Sequence, residues 1–382
     1  MIWIEAFAAA TVAIWGYALA AKPKGVKMFF AVMMVSSASL NRVVDSLALR
    51  FRSLWRRLYA LGTVIFLLSS LSALYLLSAG LVRDLSLRQQ VETVTVLVPG
   101  LTVPLLPGLV AIAVTAAVHE LSHAVAARSE GIKVNSLGIL LFLAFPIGAF
   151  TEPDEESFRT ARRMAKLKML AAGTLANLIT AALVLSVAAG LLLGYPTSPT
   201  SVMIERVLPG TLASSVGIRP GELLLALNGT TVNSTTSVSA FLSKSHPGQL
   251  INIATSGGSY VGRLGRGPNG AGFIGVGLSP YYIPRFPLGL SPGFWFQVTI
   301  YSFWIWFINL SVAVFNALPI PLLDGDQFFR ELFQGLADAS RSAKGGFASL
   351  AGGFWKAAIY VVEGGAIFLL LANLALSFRA MV

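Results

Sequence analysis

Six stretches of this chain are apolar for long enough to cross a lipid bilayer, and nothing else restricts its fold as much. They fall near 2–21, 58–82, 105–128, 169–194, 292–316 and 357–378. About 20 apolar residues in a helix span the roughly 30 Å hydrocarbon layer. Backbone polar groups in that layer must be satisfied internally, so these runs must be helical. Only 12% of the 382 residues are charged, where a soluble chain carries about 25%, and the mean hydropathy is +0.74. The expected fold class is a polytopic α-helical membrane protein with about six transmembrane helices, embedded in a lipid bilayer.

The net charge of +11 needs no nucleic-acid partner. Segments 22–57, 128–168 and 327–356 hold 19 of the 28 Lys and Arg, the bias expected of cytoplasmic loops. Met1 to Ala20 lacks a basic leader and runs into Lys22, Lys24 and Lys27. An uncleaved anchor with its N-terminus outside is therefore expected, in a multi-pass protein of the cell membrane. Met28–Leu40 is too short to span and reads as interfacial, leading into a basic amphipathic stretch with Arg42, Arg50, Arg52, Arg56 and Arg57. Four regions follow: 1–57, anchor and basic segment; 58–194, membrane core; 195–291, a polar, glycine-rich extracytoplasmic insertion; and 292–382, the rest of the core. Within the core, NSLGILLFLAFPIGAF (135–150) is apolar but broken by Pro146 and Gly148, which suggests a re-entrant hairpin. The following EPDEESFRTARRMAKLK is acidic first and basic last, as suits a helix whose charges complement its own dipole.

The run 105–128 poses a problem, because it places His119, Glu120 and His123 in hydrocarbon. An ionisable group there costs at least about 2.5 kcal/mol and is functional by default. His119 and His123, four residues apart, project from one helix face and can chelate one tetrahedral Zn²⁺. Glu120 lies about 100° around the helix, where it can take a proton from a water without ligating. There are no cysteines, so the remaining ligand must be His, Asp or Glu. The third histidine, His246, reads as a surface turn residue in SKSHPGQ. A carboxylate is supplied by NALPIPLLDGD (316–326), where Pro319 and Pro321 break the helix and Gly325 lets the chain turn beside Asp324. A kinked helix exit with a solvated Asp is the plainer reading of that stretch.

HELSH together with NALPIPLLDG resembles the site-2 proteases, which are intramembrane zinc metalloproteases. The resemblance implies His119, His123 and Asp324 as zinc ligands, Glu120 as catalytic base, and a hairpin over 135–150 that presents substrate as an added strand. It departs from the usual family pattern at Ser122 and Thr174, where Gly and Pro are more common. It also carries a second carboxylate, Asp326, expected to face away from the metal. AAGTLANL matches a third family element. Gly173 reads either as that element or as a helix-packing glycine. Asn177 and Asn316 are candidates to donate to a substrate carbonyl or oxyanion.

In the insertion, VMIERV and INIAT alternate like strands, and GIRPGELLLALNG (217–229) resembles the glycine turn, strand and Asn-Gly turn of a PDZ domain. A short helix is expected in VLPGTLASSVGI. Phe273, Ile274, Gly275 and Val276 resemble the loop that cups a peptide C-terminus, placed last as in a circularly permuted PDZ domain. The insertion is thus a small α+β PDZ-like domain that binds peptide or acts as a size filter. The chain as a whole reads as an intramembrane zinc endopeptidase that cuts transmembrane protein substrates in regulated intramembrane proteolysis. The alternative is a catalytically silent zinc-binding scaffold or chaperone, against which an intact Glu120 argues.

Overall fold

A computed structural model describes residues 2–23, 25–36, 38–87, 94, 96–143, 145–192, 200–282, 292–342 and 348–381. The chain divides into two compact units, Met1–Leu183 with Trp304–Val382, and Val184–Phe303. In order, the elements are α1 (Ile2–Ala21), β1 (Val26–Phe29), β2 (Val32–Ser36), α2 (Ala38–Arg50), α3 (Arg52–Leu87), α4 (Leu105–Glu130), β3 (Val134–Phe142), β4 (Phe145–Pro153), α5 (Glu155–Thr160) and α6 (Arg163–Leu192). The second unit adds β5 (Ser201–Val207), α7 (Leu212–Ser215), β6 (Leu223–Leu227), β7 (Thr230–Thr231), α8 (Thr235–Ser243), β8 (Leu250–Thr255), β9 (Gly258–Arg263), β10 (Gly265–Arg266), β11 (Gly272–Phe273) and β12 (Val276–Tyr281). The chain closes with α9 (Pro292–Asn316), α10 (Asp324–Ser342) and α11 (Ala348–Met381).

All six expected spans are helical. Among the described residues five are long and apolar enough to cross a membrane: Arg52–Ser86, Leu105–Glu130, Arg163–Ala189, Gly293–Asn316 and Gly353–Ser377. In α1 the apolar segment that qualifies is the shorter Thr11–Ala21. The expected edges of the insertion at 195 and 283–291 lie outside the described residues.

In the first unit, small residues let the helices approach closely. Ala124, Val125, Ala126 and Ala127 of α4 are buried against Val44 and Ala48 of α2, Tyr59 of α3 and Met169, Ala172 and Leu175 of α6. Gly131 ends α4 in the left-handed region at φ 89°, its N–H returning to the Ala127 and Arg128 carbonyls, as glycine does at a helix C-terminus. Beyond it, Lys168 pairs with Glu130 at 2.8 Å and Arg128 with Asp45 at 2.9 Å. These contacts fix α4 to α6 and α2. The acidic half of 152–168 behaves as expected, with Asp154 capping α5 by accepting from the Ser157 N–H at 2.9 Å and Glu155 and Glu156 in its first turn. The helix ends at Thr160, however, and Arg163, Lys166 and Lys168 belong to the start of α6.

The expected hairpin is present as β3–β4, and it is larger than expected. Met28–Leu40 does not run as one interfacial segment. Its first part forms β1–β2, which pairs with β3 to give a four-stranded sheet in the order β1-β2-β3-β4. Pairing satisfies the β3 backbone groups that would otherwise be exposed along that edge. β4 is left as the outer strand, and Thr151 ties it to α4 by donating to the Glu120 carbonyl at 2.7 Å.

The second unit is a small α+β domain. Its main sheet has the order β12-β5-β6-β8-β9, with β7 on β6, over a core that includes Ile204, Leu224, Leu227, Ile251 and Ile253. The Asn-Gly turn forms as read, with Asn228 at φ 48° and Gly229 at φ 79°, and α7 is the short helix expected upstream. His246 is exposed in its turn, as expected.

Candidate metal centre

Two elements bring the donors together: α4 supplies His119 and His123 one turn apart, and the start of α10 supplies Asp324. His119 Nε2 lies 3.0 Å from Asp324 Oδ2 and 3.1 Å from His123 Nε2, and His123 Nε2 lies 3.3 Å from Asp324 Oδ2. Ligands about 2.0–2.1 Å from a tetrahedral zinc lie roughly 3.3 Å from one another, so this triangle has the size of one face of such a site. Both histidines are buried, at 5% and 6% exposure. Hydrocarbon-like surroundings would not hold three converging polar groups without a common partner.

Gly173 of α6 supplies the second test of fit. A Cβ there would meet His119 Cε1 and lie 2.5 Å from both His119 Nε2 and His123 Nε2. The absent side chain is therefore the room left beside the donor atoms. Of the two readings of Gly173 offered by the sequence, the structure gives it a close approach to imidazoles.

The ring nitrogens that face away from the triangle are also engaged. His123 Nδ1 lies 2.7 Å from the Met169 carbonyl, to which an Nδ1–H donates. His119 Nδ1 lies 3.0 Å from the Asn177 amide nitrogen. Asn177 sits midway along α6, with no exposed surface, and its Oδ1 is buried without a partner. Asn316, the last residue of α9, places its amide nitrogen 3.1 Å from His119 Nε2 and lines the cavity.

That cavity measures about 320 Å³. Its lining includes His119, Glu120, Asn316 and Asp324, the β4 backbone at Gly148 and Ala149, and Leu322. Gly325 is packed so tightly that a Cβ would strike the Leu318 carbonyl oxygen and lie 2.7 Å from Ala317 O. This packing aims Asp324 back toward α4.

Two of the three departures, Ser122 and Asp326, have partners other than the donors. Ser122 pairs with the Tyr59 hydroxyl at 3.1 Å. Asp326 accepts from Arg330 Nε at 2.7 Å, and Arg330 Nη2 also pairs with Glu363 Oε1 at 2.6 Å. The hydrogen bond to Asp326 raises the already high pKa of Arg330, so this cation is permanent. Glu363 was not singled out in the sequence, although it is a lone carboxylate inside the apolar run YVVEGGAIFLL, which is itself a signal. Of the loop residues expected to bind peptide, Ile274 has its side chain in the domain core at 1% exposure, and Gly275 turns at φ 89°.

A family profile described as peptidase family M50 matches residues 107–265 and 290–359, which include all three metal-donor residues. The chain belongs to peptidase family M50. Three relatives are similar in sequence, two of them with protease names. An uncharacterized protein of Methanocaldococcus jannaschii is 32% identical over 226 residues, 59% of this chain and 57% of the relative. A Nostoc sp. protein named "Putative zinc metalloprotease" is 27% identical over 315 residues, 60% of this chain and 86% of its own length. The Arabidopsis thaliana "Membrane-bound transcription factor site-2 protease homolog" is 31% identical over 179 residues, 43% of this chain and 32% of that protein. The chain thus spans little more than half of the first relative and a third of the plant one. This M50 protein is a multi-pass membrane protein of a zinc metalloprotease family, and its grouped His119, His123 and Asp324 fit the metal.

Proposed function

We propose that this chain is an intramembrane zinc endopeptidase that hydrolyses peptide bonds within transmembrane segments of other proteins. The observation that carries the reading is the shared cavity: Glu120, the donors His119 and Asp324, and Gly148 and Ala149 of the outer strand β4 line one space. His119, His123 and Asp324 would hold the ion, which when bound supplies a Lewis acid for the scissile carbonyl and the attacking water. Glu120 takes the proton from that water and delivers it to the leaving amine. Asn316 stands where its amide can donate to the carbonyl oxygen as charge develops there.

A transmembrane helix hides its carbonyls in its own hydrogen bonds, so a substrate must unwind to be cut. An unwound segment needs new partners for its backbone in the membrane. β4, at the sheet edge, offers them by strand addition. Thr151 holds that strand to the Glu120 carbonyl, which sets the distance between the bound strand and the base. The second unit is on the extracytoplasmic side in this reading. It takes peptide C-termini through the Phe273, Ile274, Gly275 and Val276 loop, or excludes bulky ectodomains. With Ile274 committed to the core, the loop's contribution is backbone N–H rather than that side chain. Substrates are then single-span proteins already shortened by another protease.

The decisive experiment compares purified wild type with Glu120→Gln against several single-span substrates in liposomes, with zinc measured in both. Cleavage by wild type alone, with zinc equal in the two, is expected. Zinc in both and no cleavage by wild type across a broad substrate panel would refute the protease reading in favour of a scaffold.

A further inference from the structure

The proton on His119 has to sit on a particular nitrogen. Nε2 faces His123 Nε2, Asp324 Oδ2 and the space beside Gly173, so it must be bare to act as a ligand. A neutral imidazole then carries its one proton on Nδ1. That Nδ1–H requires an acceptor, and the group 3.0 Å away is the Asn177 amide. With Nδ2 toward the ring, the amide would be a second donor facing a donor, while Asn177 Oδ1 stays buried without a partner. The two ends of an amide have nearly the same shape, and its orientation is fixed by the hydrogen bonds it can make. Turning it about places Oδ1 on Nδ1–H and removes both faults.

We infer that Asn177 is a positioning residue, holding His119 in its metal-binding tautomer by accepting the Nδ1 proton through Oδ1. His123 is served in the same way by the Met169 carbonyl at 2.7 Å. Each ligand ring is therefore oriented by α6, one by backbone and one by side chain. Partners of this kind raise ligand basicity, and their loss costs about 10- to 100-fold in metal affinity. Full burial of Asn177 separates this role from contact with substrate. The inference rests on the metal centre and not on proteolysis.

The test is zinc affinity of the full-length protein, by competition with a chromophoric chelator, together with the visible spectrum of the cobalt-substituted form. Asn177→Leu, similar in size but without an acceptor, should bind zinc about 10- to 100-fold more weakly and shift the cobalt bands. Asn177→Asp, which keeps an acceptor oxygen, should stay within a few-fold of wild type in affinity. Unchanged zinc affinity in Asn177→Leu with a raised KM would overturn the inference in favour of substrate contact. Asn177→Asp losing as much affinity as Asn177→Leu would overturn it too. Asn177→Asp is also read against wild type, so a loss of about 10-fold or more in that variant overturns the inference even if Asn177→Leu fails to fold. Wild type that binds no zinc would overturn the metal centre and this inference with it.

Discussion

Gly173→Ala is the smallest change that tests the metal centre. The added methyl would lie 2.5 Å from both His119 Nε2 and His123 Nε2, where an ordinary carbon–nitrogen contact is about 3.5 Å. Relief requires about 1 Å of movement by the rings or by α6. The helix has little freedom to retreat, because Ala171 and Ala172 are fully buried and Leu175 nearly so. Metal ligands tolerate displacements of about 0.2 Å, so the rings cannot make room and still bind. Overpacking of this kind costs about 1–3 kcal/mol, while zinc affinity should fall by roughly 100-fold or more. A matched control exists in Gly62→Ala on α3. There the methyl would meet only Leu175 Cδ2, at 2.9 Å, a flexible end far less costly to move. The assay is zinc content after dialysis against a weak chelator, with thermal unfolding in the same detergent. Gly62→Ala should lose some stability and keep its zinc; Gly173→Ala should lose the zinc. If Gly173→Ala holds zinc within about threefold of wild type, the steric reasoning is wrong.

Three further outcomes are expected. Gly325→Ala, forced against the Leu318 and Ala317 carbonyls, should abolish zinc binding through the displaced Asp324, read by metal content. Arg330→Met leaves Asp326 and Glu363 without their shared cation. Removing one partner of a fully buried pair costs about 3–5 kcal/mol, but the Arg330 side chain is 43% exposed, so solvent should reduce this to about 2 kcal/mol. Thermal unfolding measures it, and adding Glu363→Gln should recover part of the loss. Finally, zinc should be released on acidification, because protons compete with the metal for its ligands; metal content after dialysis across a pH series measures it.

The donor set was legible because its information is local. His119 and His123 are one helical turn apart, and the two prolines before Asp324 announce a broken helix from sequence alone. The β1–β2 hairpin was not legible in that way. Val32 to Ser36 pair with Gly138 to Phe142, about a hundred residues on, and a short apolar run cannot be told from an interfacial segment until its partner is known. The sequence singled out Gly173 and Asn177, but the same limit hid their close approach to imidazoles presented by another helix. The burial of Ile274 was not legible for a related reason: a hydrophobic residue in a loop motif can pack in a core or face outward, and here it packs in the core.

His119 and Asp324 are 205 residues apart in the chain, with the whole second unit between them. At about 5–20 residues per second, the ribosome needs roughly 10–40 s to travel from one to the other. During that interval the two histidines and the glutamate are already made, but the third metal donor does not exist. A polypeptide that stalls or is cut short anywhere before Asp324 carries no complete ligand set. On the proposed reading, a nascent chain of this design cannot attack its neighbours in the insertion machinery until the second unit and Asp324 have been made.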